Sequence, residues 1–126
     1  MLQTYKKGAR AERELIGHFD QRGFSVIRAA GSGGNSLSPD ILIFKHGMQY
    51  AIESKAHEKE HLHLDKDQFL TMRKWEENTG ITSLIGWKRN RKPWSFLRLS
   101  LFEENEKSFA ISWKTAESMG MRLDEF

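Results

Sequence analysis

Apolar positions along the chain change period several times, and each change marks an element. Between Lys6 and Arg22, Leu15, Ile16 and Phe19 recur at spacings of three and four among the strong helix formers Ala9, Ala11 and Glu14. This predicts an amphipathic helix closed by Gly23. Phe24–Ala29 reads as a strand, and Ala30–Ser38, rich in Gly and Ser, as a loop. Asp40–Phe44 and Tyr50–Glu53 are two further strands separated by His46-Gly47. The polar stretch from His57 to His63 reads as a solvated loop leading to a second helix, about Lys66 to Asn78, closed by Gly80. Asp65 with Gln68 three residues on is a variant of the capping box that opens such a helix. Thr82–Trp87 and Trp94–Leu99 are predicted strands around a basic turn, Phe109–Trp113 a last strand, and a short helix precedes Gly120. The order implies an α/β domain with a central mixed sheet flanked by helices.

Composition narrows the class. At 126 residues the chain reads as a single domain, 1–126, able to bury a core. The absence of cysteine excludes disulfides, thiolate metal sites and thiol chemistry. No apolar run approaches the roughly 20 residues of a membrane helix, and Met1–Lys7 lacks the apolar stretch of a secretory signal. The expectation is a soluble, cytoplasmic protein without membrane contact. A net charge of +3 is compatible with a polyanionic partner and decides nothing alone.

The hairpin at His46-Gly47 carries the strongest chemical argument. A two-residue turn there pairs Lys45 with Met48, and continuing outward brings Asp40 directly opposite Glu53. Glycine tolerates the positive φ such a turn requires, and histidine is among the side chains enriched there. Alternation along a strand puts Lys55 on the same face as Glu53. Directly opposed residues have Cβ atoms about 4.5–5.5 Å apart, so two carboxylates in apolar strands repel unless a hard cation lies between them. Oxygen donors point to Mg²⁺, with Mn²⁺ able to substitute. Lys55 adds an ammonium that can orient a water toward a phosphodiester. Solvated charges on a hairpin edge are the bland alternative, which three matched positions on one face argue against.

Glu12 precedes Leu15, Ile16 and Phe19 by three, four and seven residues, so it extends the apolar stripe of the first helix. A carboxylate there is costly unless paired or bound to metal, although a first-turn glutamate also suits the helix dipole. Arg28 ends its strand on the face of Val26 and Phe24, either at a site or merely at the surface. Gly31-Ser32-Gly33-Gly34-Asn35 offers backbone N–H groups to a phosphate, or simply a flexible connection. Lys88-Arg89-Asn90-Arg91-Lys92 suits phosphate contact, yet solvated hairpin tips look alike. Gln68 is open between a local capping job and a catalytic one, and Phe69, Met72 and Trp75 read as core. His57, His61 and His63 lack zinc-finger spacing.

Pro39-Asp40, twelve intervening residues, then Glu53-Ser54-Lys55 resembles the PD-(D/E)xK nuclease motif. Around it Lys7-Gly8, Glu12-Arg13-Glu14, Gly23-Phe24, Arg28-Ala29 and Gly31-Ser32-Gly33 stand in an order similar to that of archaeal Holliday junction resolvases of the Hjc/Hje type. The resemblance is strong over residues 6–56 and loose beyond. It implies a restriction-endonuclease-like fold and a homodimer that cuts two opposed strands of four-way junction DNA with Mg²⁺, in recombination and repair. It further implies metal ligation by Asp40, Glu53 and, directly or through water, Glu12. Lys55 would partner the attacking water, and Ser32 would reach the strand near the cut. Lys7, Arg13 and Arg28 would engage DNA, with Arg89, Arg91 and Lys92 added from the basic turn. A related nuclease for flaps, ends or mismatches, and a catalytically silent junction-binding module, are the alternatives.

Overall fold

A computed structural model describes residues 2–29 and 38–126, with side chains from residue 6 onward in the first helix. Helix α1 (Leu2–Gln21) starts earlier than its apolar spacing predicts and ends as expected, with Gly23 at φ 87°. Strand β1 (Ser25–Arg28) pairs antiparallel with β2 (Ile41–Lys45), and β2 with β3 (Met48–Ala56). After β4 (His61–Asp65) come α2 (Lys66–Thr79), β5 (Thr82–Lys88) and β6 (Ser95–Arg98). A 3₁₀ turn at Leu99–Leu101 leads to β7 (Glu103–Glu104), β8 (Ser108–Ser112), α3 (Trp113–Met119) and a last 3₁₀ turn, Leu123–Glu125.

The main sheet has the order β1-β2-β3-β5-β6. It is mixed, because β3 and β5 are parallel and the other neighbours antiparallel. Strand β5 shows how one sequence serves two faces, since side chains alternate along it. Leu84 joins Leu15, Phe19, Ile41, Ile43 and Ile52 in a core under α1. Ile85 and Trp87 join Leu62, Leu64, Phe69 and Trp113 in a second core, built from β4, α2 and α3. Leu15 and Phe19 are 0% exposed, and burial of each side chain stabilises the fold by roughly 1.5–3 kcal/mol. No helix among the described residues is long and apolar enough to cross a membrane.

Two readings of the sequence need correction. The stretch ending at His63 is not wholly a solvated loop, because His61–Asp65 is a strand paired with β8 in a second sheet, β4-β8-β7. Its burial alternates, with Leu62 and Leu64 inward and His61, His63 and Asp65 outward. The period-two signal was present, but three polar side chains outnumber the two leucines. Trp113, read as the end of a strand, instead opens α3, where the Ser112 side chain caps the Thr115 N–H.

Candidate active site

The predicted hairpin register is the one observed. His46 (φ 48°) and Gly47 (φ 82°) both take positive φ, as a two-residue turn demands, and Lys45 pairs with Met48 through to Ile41 with Ile52. Strand β2 ends there, so Asp40 sits one residue beyond the last ladder pair. Its carbonyl accepts the Ala29 N–H at 2.9 Å. Its own N–H donates to Glu53 Oε1 at 3.2 Å, and its Oδ2 accepts the Ser54 N–H at 2.9 Å. Each carboxylate is thus anchored by the backbone of the other's strand. Asp40 and Glu53 are brought together.

Electrostatics follow from that closeness. Burial, and next the Asp40 charge, push Glu53 up to about 7 from 4.5, against the opposing pull of Lys55 and the Asp40 N–H. A carboxyl group held near neutrality beside a second carboxylate is a favourable place for a divalent cation, which relieves both the burial and the repulsion. Two carboxylates suffice for a hard cation of the Mg²⁺ kind, which keeps waters and substrate phosphates in its remaining positions. The donor set fits. Among the described residues no group of three or more acidic or histidine side chains is set to hold a metal.

Glu12 illustrates the point. Its carboxylate is 19% exposed, and Arg28 Nε donates to Oε1 at 3.0 Å. The charge that α1 places on its apolar stripe is therefore paired, by one of the arginines singled out in the sequence. Gln68 has its local capping partner and also reaches the carboxylate pair. Its backbone N–H is capped by Asp65 Oδ1 at 2.7 Å, while its side-chain amide donates to Glu53 Oε2 at 3.3 Å. No pattern in the sequence links residues 53 and 68; only the packing of α2 on the sheet does so.

A family model described as archaeal Holliday junction resolvase (Hjc) matches residues 3–126. The chain belongs to this family. It is 31% identical over 120 residues to the crossover junction endodeoxyribonuclease Hjc of Archaeoglobus fulgidus, covering 94% of this chain and 88% of that protein. The Hjc of Sulfurisphaera tokodaii is 28% identical, over 99% of this chain and 88% of the relative. Among solved structures, Archaeoglobus fulgidus Hjc, a Holliday junction resolvase, superposes with a TM-score of 0.83 at 28% identity, covering 94% of this chain and 93% of that one. The mixed sheet flanked by helices is therefore the Hjc fold.

The remaining predicted positions of this Hjc-family chain are dispersed. Lys7 forms an ion pair with Glu58, so α1 is tied to the segment after β3. Arg13 is exposed on α1. In the basic turn, Arg89 is drawn inward: it lies 5.3 Å from the Trp113 ring centre and donates to the Glu58 carbonyl at 2.7 Å. Lys92 approaches Glu117 at 3.9 Å, and Arg91 is exposed with φ 62°. Lys88 folds back onto the carbonyls of Arg89 and Lys92, which shapes the turn. Ser32 and the Gly31–Asn35 loop lie outside the described residues.

Proposed function

We propose that this Hjc-family protein is a structure-selective endonuclease that resolves four-way DNA junctions by paired, symmetric nicks during recombination and repair. The reading rests above all on the Asp40–Glu53 pair, fixed crosswise by backbone N–H groups with Lys55 on the same strand face. The chain acts as one catalytic domain, and two copies form a homodimer, since two opposed nicks call for two sites related by a two-fold axis. A protein this small has little surface with which to read bases, so the shape of the branch is the target.

Hjc-family nucleases work with a divalent metal, and the ion proposed here is Mg²⁺, with Mn²⁺ substituting. Asp40 and Glu53 hold it. When bound, it offsets the charge that develops on the scissile phosphate and on the leaving oxygen. Lys55 orients the attacking water and stabilises the negative charge gathering opposite the leaving group. The water oxygen bonds to phosphorus as the bond to the 3′ oxygen breaks; the water gives up one proton to solvent, and the 3′ oxygen takes one from solvent and leaves as a 3′-hydroxyl. The other product carries a 5′-phosphate, and no covalent enzyme intermediate forms. Glu12 and Arg28 serve as a pair at the edge of the site, with Arg28, Arg13, Lys7 and, from the basic turn, Arg91 and Lys92 facing DNA. Ser32 is proposed to reach the strand near the cut.

The test is cleavage of a fixed synthetic four-way junction with Mg²⁺, mapped on all four strands, beside a matched duplex and a flap. Paired symmetric nicks in the junction are expected. Equal cutting of all three forms would replace the resolvase by a less selective nuclease. Asp40→Asn should still bind the junction and lose cleavage, whereas a binding module would show no cleavage to lose.

A further inference from the structure

Beyond the carboxylate pair, Lys55 forms one wall of a trench of about 490 Å³ whose other walls include His57, Lys59, Glu60, His61 and His63. The histidines take no part in the proposed cleavage chemistry. Strand β4 turns His61 and His63 outward together, with ring centres 6.4 Å apart, because Leu62 and Leu64 take the inward positions. Two ammonium groups and three imidazoles thus face a single carboxylate.

That carboxylate, Glu60, is drawn to Arg89 Nη2 at 3.5 Å. The adjoining Glu58 is closed off by Lys7 and by the Asn90 N–H. The wall is also built in advance of any ligand. Fully buried Trp87 donates its indole N–H to the His57 carbonyl at 2.8 Å, and the His57 N–H bonds Lys88 O at 3.1 Å. The Glu60 carbonyl accepts the Trp113 N–H at 2.7 Å, so residues 57–60 are tied at both ends. His57 Nε2 is spent on the His61 carbonyl at 2.8 Å and His63 Nδ1 on Ser108 at 3.0 Å, which leaves a poor set for a transition metal. A backbone-tied segment that presents lysine ammonium groups beside an outward imidazole suits phosphate oxygens.

We propose that this trench is a DNA subsite, holding the sugar–phosphate backbone of the strand under attack beside the scissile phosphate, with Lys59 and His61 as its phosphate contacts. The inference rests on the nuclease reading and adds to it the path by which the cut strand leaves Lys55. Removing one charged side chain from the trench should weaken binding about tenfold. Each phosphate that is no longer neutralised should lower the slope of log affinity against log salt by about 0.9.

The experiment measures affinity of the full-length protein for a fixed four-way junction in EDTA across a KCl series, with Mg²⁺ cleavage run in parallel. Lys59→Ala, Lys59→Glu and His61→Ala are compared with Lys107→Ala, an exposed lysine beyond the opposite end of β4's pairing with β8. Both trench positions are exposed, and thermal unfolding checks each variant. The expected result is weaker binding for all three trench variants, strongest for Lys59→Glu, with a shallower salt slope for Lys59→Ala and little change for Lys107→Ala. Trench variants that bind as tightly and as salt-dependently as the parent, while the parent cuts the junction, would overturn this subsite alone. A parent protein that neither binds nor cuts the junction would remove the nuclease reading and the subsite together.

Discussion

Gln68, in the first turn of α2, donates its side-chain amide to Glu53 Oε2 across 3.3 Å, and so joins the second core of the molecule to its carboxylate pair. The amide can reach because Asp65, the last residue of β4, caps the helix at the Gln68 N–H. Glu53 Oε1 is held by Asp40 and Oε2 by Gln68, which fixes the plane of the carboxylate.

Gln68→Ala should therefore let Glu53 rotate. A neutral amide to a charged acceptor is worth about 1–2 kcal/mol, so single-turnover junction cleavage should slow by roughly tenfold with junction affinity in EDTA unchanged. Gln68→Glu should be worse, because it adds a third carboxylate to a repulsive pair. A cleavage rate in Gln68→Ala equal to that of the parent would show that the carboxylate is oriented without it.

The raised Glu53 makes stability depend on pH. Its folded value, about 7, lies above the unfolded one near 4.5, so between these values the folded chain holds a proton that the unfolded chain has released. Stability must then fall as pH rises through that window, by an amount on the order of 1–3 kcal/mol, and level off above it. Urea unfolding of metal-free protein at pH 5 and pH 8 measures the fall, and Glu53→Gln should flatten it. A divalent ion competes with the same proton, so Mn²⁺ affinity, read by calorimetry, should rise with pH up to about 7. Identical pH profiles for the parent and Glu53→Gln would assign the effect elsewhere.

Glu12 and Arg28 should behave as one unit. Arg28→Ala leaves Glu12, 19% exposed, without its partner, whereas Arg28 is itself largely exposed, so Arg28→Ala should reduce kcat/KM by about tenfold and Glu12→Gln by less. The double variant should be little worse than the poorer single one, since neighbours that share a partner are not additive. Multiplicative losses across this cycle would mean that the 3.0 Å contact is incidental to both roles.

What the sequence disclosed and what it withheld divide along physical lines. The Asp40–Glu53 juxtaposition was legible because a two-residue turn fixes register locally, and His46-Gly47 has the right chemistry for it. The stripe Leu15, Ile16, Phe19 was legible because helix periodicity is local too. Strand β4 was obscured because His61, His63 and Asp65 face outward and only Leu62 and Leu64 speak for burial. Its partner β8 lies beyond α2, β5 and β6 in the chain, a pairing that no local pattern announces. The Gln68 amide and the crossing of Glu12 with Arg28 are likewise products of packing between distant segments. Composition likewise does not reveal that Arg89, within the basic turn, is turned in against Trp113.

Gly120 tests how α3 is docked under β6. It lies between Met119 and Met121, and the Met121 N–H and carbonyl pair with Phe96 at 2.8 and 2.9 Å. A Cβ at this position would sit 2.6 Å from the Ala116 carbonyl and would collide with the Ser95 hydroxyl, which itself donates to that carbonyl at 2.7 Å. Backbone φ here is −74°, so the demand is for space rather than for a left-handed conformation. Gly120→Ala should destabilise the fold by about 1–3 kcal/mol through overpacking, lowering Tm by several degrees. Removing the hydroxyl in a Gly120→Ala, Ser95→Ala double variant relieves only one of the two clashes, so recovery should be partial. Calorimetric melting of the three proteins decides the matter. A Gly120→Ala melting point equal to that of the parent would mean that α3 can retreat from β6 at no cost.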